Sequence, residues 1–156
     1  MINNLEAYLT TENIYLLANW GVIPFWLMLL FIPHLTIARF FVNSVIIPLL
    51  LASAYIFLAL KLYTNGEIFE IFQLYFGLEN LYSIYSNETF LLIFWLHFLS
   101  ISLFVGSWIA RDSQRYMIPK ILTIISLILT YFSGPVGLVF YWLIRIFFAK
   151  KIGFNE

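Results

Sequence analysis

The sequence predicts an all-α integral membrane protein, a four-helix bundle with a short interfacial helix between helices two and three. Three observations support this: 63% of the side chains are hydrophobic, only 10% are charged, and the few charges lie between long apolar windows. Globular domains average about 45–50% apolar and 25% charged residues. A chain of 156 residues with this composition cannot hide its apolar surface in a water-soluble core. Eight basic residues balance eight acidic ones, so the basic footprint of a nucleic-acid binder is missing. With no cysteine there is no disulfide framework, thiolate metal site or cysteine nucleophile. The length fits one membrane domain over residues 1–156.

About 20 apolar residues are needed to cross roughly 30 Å of hydrocarbon, and four windows meet this length. The first span covers residues 14–32 and closes at Pro33 and His34. The second covers 41–63, with Lys61 placed to snorkel to the interface. The third covers 89–110 and contains one ionisable residue, His97. The fourth covers 121–148, interrupted at Gly134-Pro135. Pro24 and Pro48 are expected to kink the first two spans. The acidic segment 65–88 is rich in aromatics, among them Phe69, Phe72, Tyr75, Phe76 and Tyr82, and reads as a short interfacial helix. Residues 1–12 lack the basic start and cleavage site of a signal peptide and are expected to be retained.

Four crossings put both termini and segment 65–88 on one membrane face. Arg39, Arg111, Arg115 and Lys120 then oppose Lys61, Arg145, Lys150 and Lys151, a tie that leaves orientation open. Seven carboxylates fall on the face of the termini, against Asp112 alone on the other. Trp20, Trp108 and Trp142 suit interfacial anchoring, whereas Trp26 and Trp95 lie deeper.

Polar groups within the spans are candidates for function because burial in hydrocarbon is costly. His97 is the candidate catalytic residue, on a helical face with Ile93, Ser100, Ile101, Phe104 and Trp108. The alternative is a neutral histidine that hydrogen-bonds across the bundle. Asn19 is the second intramembrane polar group and is placed to meet His97; it too can serve as interhelical glue. Asn43 and Ser44 are expected close enough to an interface to be solvated. The hydroxyls of Ser100, Ser102, Ser107, Thr123, Ser126, Thr130 and Ser133 can bond to carbonyls of their own helix. Gly134-Pro135 marks a kink or a broken helix, with carbonyls left for a neighbour, water or ligand. Arg111, Asp112 and Arg115 form an interfacial polar cluster suited to a lipid phosphate, or else a solvated surface pair. Phosphate loops, His-Glu metal pairs and serine elbows are missing from the sequence, and no cofactor or metal is expected.

Several ordered motifs resemble the abscisic-acid-deficient-four-like family, plastid proteins associated with neoxanthin synthesis and their bacterial relatives. They are Asn19-Trp20, Pro24-Phe25-Trp26, Pro33, Pro48-Leu49-Leu50-Leu51, Trp95-Leu96-His97 and Leu103 to Asp112, followed by Pro119, Gly134-Pro135-Val136-Gly137-Leu138, Tyr141 and Arg145. The resemblance covers nearly the whole chain. It implies a link to the conversion of violaxanthin into neoxanthin, an epoxide opening with proton loss, for which His97 is the intramembrane acid–base candidate. The family pattern has an aspartate five residues after that histidine, where this chain has Ser102.

The expected function is therefore binding or transforming a carotenoid or other isoprenoid lipid in the bilayer, in a cavity framed by Asn19, Trp26, Trp95, His97, Gly134 and Pro135. The partner is a membrane lipid or isoprenoid-type ligand, with no nucleic acid and with oligomeric state open. A non-enzymatic membrane scaffold is the alternative, and a headgroup enzyme at Arg111, Asp112 and Arg115 a third reading. An AT-rich bacterial composition and the lack of a transit peptide point to a bacterial inner membrane.

Overall fold

Long apolar runs must satisfy their backbone polar groups internally, which in a membrane favours helix. The computed structural model describes residues 10–38, 40–41 and 46–150 and, among them, shows helices and no strand. Three helices are long and apolar enough to cross a membrane: α1 (Thr11–Phe31), α2 (Ile46–Thr64) and, after two shorter elements, α4 (Glu88–Arg115). Pro24 lies inside α1. Pro48 lies within α2. Asn43, Ser44, Arg39 and Lys151 lie outside the described residues.

Segment 65–88 is helical, as the aromatic pattern suggests, but in two pieces: a 3-10 run (Glu67–Tyr75) and α3 (Leu78–Tyr85). The 3-10 run buries none of its residues, and Phe69, Phe72, Tyr75, Phe76 and Tyr82 are exposed.

The fourth window departs from a single crossing. It forms α5 (Lys120–Ser133) and α6 (Pro135–Ala149), joined by Gly134 alone, so the expected four-helix bundle becomes three membrane-length helices and a helical hairpin. Gly134 has φ 55° and ψ −83°, a conformation that L side chains resist. Its N–H ends α5 on the Thr130 carbonyl, its own carbonyl receives the Leu138 N–H, and Pro135 opens α6 at a position needing no donor. What lets α6 fold back is a stripe of small and hydroxyl residues. Thr123, Ser126 and Thr130 are buried along one face of α5, and Gly137 lies so near Thr130 that a Cβ there would collide with its backbone. Ser126 Oγ, Thr130 Oγ1 and Ser133 Oγ each donate to the carbonyl four residues earlier, which makes their burial inexpensive. The hydropathy of the window could not distinguish a kink from a reversal; Gly134 and this stripe decide it.

The chain divides into two compact units. The first comprises Met1–Gly21 and Leu49–Ser100, the second Val22–Pro48 and Ile101–Glu156. In the first unit the buried residues are apolar, including Ile14, Leu58, Leu62, Phe90 and Leu96. In the second, Val22, Trp26, Leu29, Leu103, Ile109 and Leu127 are buried together with Asp112, Arg145 and several hydroxyls.

Candidate functional site

The second unit contains a buried ion pair that the linear sequence keeps 33 residues apart. Trp108 and Asp112 lie four residues apart on one face of the end of α4, with Tyr116 in the turn just after it, while Tyr141 and Arg145 share a face of α6. Asp112 Oδ2 accepts from both Tyr141 Oη and Arg145 Nε, each at 2.7 Å. Arg145 Nη2 donates to Tyr116 Oη at 3.4 Å, and the guanidinium lies 4.9 Å from the Tyr116 ring centroid and 5.3 Å from that of Trp142. Trp108 packs edge-on to Tyr141 and roughly parallel to Trp142, completing an aromatic enclosure.

Arg145 is 1% exposed and Asp112 9%. Removing two charges from water costs several kcal/mol each unless close pairing and further hydrogen bonds compensate. Both conditions are met here. Asp112 sits in the last turn of α4, where the helix dipole disfavours a carboxylate, and the guanidinium offsets that repulsion. A planar guanidinium that donates and stacks at once suits this place better than an ammonium would.

Of the expected interfacial cluster, only Asp112 is buried. Arg111 and Arg115 are exposed, with the Arg115 guanidinium 5.5 Å from the Tyr116 ring. The partner of Asp112 is Arg145, which four crossings would have put on the opposite membrane face; the hairpin brings it back. Trp108 and Trp142 help enclose Arg145, while Trp20 is exposed. The i, i+4 spacing of Tyr141 and Arg145 was the available signal for this centre.

The same unit has an apolar groove of about 310 Å³ between α1 and α5, walled by Ile23, Trp26, Leu27, Leu30, Leu127, Ile128, Tyr131 and Phe132. Trp26 is buried and meets Tyr131 edge-on at 5.4 Å; over Gly106 it leaves so little room that a Cβ would lie 2.7 Å from the indole. Gly134 and Pro135 lie just beyond Phe132 in the chain, at the tip of the hairpin.

In the first unit, Trp95 Nε1 donates to Asn19 Oδ1 at 2.8 Å, so the partner of Asn19 is this indole. Trp95 also stacks on Phe98 and borders a groove of about 440 Å³ with Thr11, Glu12, Tyr15, Glu88, Leu91 and Leu92. His97 is on the exposed side of α4, its ring 6.3 Å from that of Tyr55. It lines neither groove. Ser102 is buried. Among the described residues no group of three metal-ligating side chains occurs, and no buried side-chain nitrogen or oxygen lacks a partner.

Comparison with curated proteins and with solved structures finds no match. A family model described as ABA DEFICIENT 4-like matches residues 13–141, a stretch that includes Asn19, Trp26, Trp95, His97, Asp112 and Tyr141. With most of its length matched, the chain belongs to the ABA DEFICIENT 4-like family.

Proposed function

We propose that the protein binds a long apolar molecule of isoprenoid or carotenoid type within the bilayer. The groove of α1 and α5 is the observation that carries this reading: its walls are aliphatic and aromatic, and Leu27, Ile128 and Phe132 leave it open at the protein surface. An extended polyene presents flat, apolar faces, which pack on aromatic edges and branched side chains without needing polar partners. Family membership and the apolar helices fit a site that lies within a membrane.

Binding is favoured over chemical transformation. Among the described residues the buried polar side-chain atoms already have partners, and the acid–base candidate His97 lies outside the groove. A purely structural role is the second reading, favoured by the satisfied Asp112–Arg145 and Asn19–Trp95 pairs.

The test is purification in mild detergent, with absorbance and mass spectrometry of co-extracted lipid. Ile128→Trp, which fills the groove from its open side, should remove a bound polyene or isoprenoid while the protein stays monodisperse. His97→Ala should retain it. Absence of any such molecule from the wild-type protein, or its retention by Ile128→Trp, would overturn the proposal and favour the structural role.

A further inference from the structure

We infer that the α5–α6 hairpin is re-entrant, dipping into the membrane and returning to the side where α4 ends, so that Arg111, Arg115, Lys120 and Lys150 form one basic face against the anionic headgroups of the cytoplasmic leaflet. Helix lengths supply the first step. At a rise of about 1.5 Å per residue, α5 and α6 each extend about 21–23 Å, short of the roughly 30 Å hydrocarbon core. Contacts within the second unit supply the next. Lys120, at the start of α5, reaches the Phe31 carbonyl at the end of α1. Arg145, near the end of α6, reaches Asp112 and Tyr116 at the end of α4. Both ends of the hairpin therefore lie at the membrane surface where α1 and α4 finish. Lys150 follows Arg145 by little more than one turn.

A helix that crosses the membrane ends on the side opposite its start, so the starts of α1 and α4 mark the other surface. Thr11 and Glu12 at the start of α1 and Glu88 at the start of α4 border one groove, so these two helices begin on the same side. α2 follows α1 in the chain, so as a crossing helix it returns to that side, ending at Lys61 and Thr64.

Charge is then distributed very differently from the tie that four crossings give. Among the described residues, Arg111, Arg115, Lys120, Arg145 and Lys150 lie on one side and Lys61 alone on the other. Glu12, Glu67, Glu70, Glu79 and Glu88 share the side of Lys61. Even with the internally paired Arg145 set aside, the basic residues stand four to one. An excess of Lys and Arg marks the cytoplasmic side, where anionic lipid attracts basic juxtamembrane residues.

The chain has no cysteine, so single cysteines can be placed at exposed sites without removing any native one. A membrane-impermeant maleimide should label Gln114→Cys and Lys150→Cys in inside-out vesicles, and Glu79→Cys in right-side-out vesicles. Lys150→Cys reacting on the same side as Glu79→Cys would show a fourth crossing and overturn the hairpin. Gln114→Cys reacting from outside would overturn the orientation. Independently of any substitution, a fluorescent protein fused to the C-terminus should fluoresce and a phosphatase fused there should be inactive; the reverse result overturns the proposal. Changing Arg111, Arg115, Lys120 and Lys150 together to Gln should let Glu79→Cys label in both vesicle types. A single unchanged orientation would overturn the electrostatic basis. None of these outcomes depends on ligand binding.

Discussion

The two units bury different chemistry although both are built from equally apolar helices. Among the described residues, the buried side chains of the first unit are aliphatic or aromatic, while Ser102, Ser107, Asp112, Ser113, Thr123, Ser126, Thr130 and Arg145 are all buried in the second. The first unit sets the part-buried bond from Trp95 to Asn19 among apolar contacts. The second uses hydroxyls, glycines and an ion pair to hold together a hairpin too short to cross a bilayer. Apolar packing alone gives little preference for one helix register over another in lipid, where tails are as apolar as leucine. Polar groups that must find specific partners supply that preference, and they are concentrated where the chain reverses.

Breaking the ion pair should have the largest effect. Asp112→Ala leaves a buried guanidinium without its carboxylate and should lower stability by about 3–5 kcal/mol, measured as denaturant unfolding in detergent micelles. The double variant Asp112→Leu with Arg145→Met should recover most of that loss, because no uncompensated charge remains. Equal losses in the single and double variants would show that the pair acts by shape and not by charge.

Close approach within the hairpin comes next. Gly137→Ala drives a methyl into the Thr130 backbone and should cost about 1–3 kcal/mol by the same measurement. Gly21→Ala is the matching change in the first unit. No atom lies within 4 Å of the added carbon, and helix propensity should make it neutral or stabilising by up to about 1 kcal/mol. Opposite signs would confirm that only the second unit depends on backbone proximity.

Asn19→Leu should cost about 1 kcal/mol by leaving the Trp95 indole N–H without its acceptor, and Trp95→Phe in the same chain should relieve part of that loss. The smallest effect belongs to His97→Ala. Its side chain is exposed, and stability should change by less than about 0.5 kcal/mol. A large stability loss at His97, with little change at Asp112, would invert the contrast between the units.

The existence of three long apolar helices and the helical character of segment 65–88 were legible in the sequence, because apolar length and pattern are local quantities. His97 drew notice as an ionisable residue in an apolar window, yet hydropathy carries no information about which side of a helix meets a neighbour. Asp112 was legible as a charge near a helix end, but not as half of a buried pair. Its partner lies on a helix whose direction depends on Gly134.

The sequence by itself determined the class of the protein: an apolar, helical chain whose composition excludes a soluble core and whose motifs run through the ABA DEFICIENT 4-like pattern. Composition and period are local quantities, and the helices follow from them. The tertiary structure alone decided that residues 121–148 turn back at Gly134, that Arg145 meets Asp112, and that Asn19 accepts from Trp95. Each of these is a contact between distant residues. One backbone angle at Gly134 and the close approach of Gly137 to Thr130 set where the last helix goes, and neither is recorded in the hydropathy of the window.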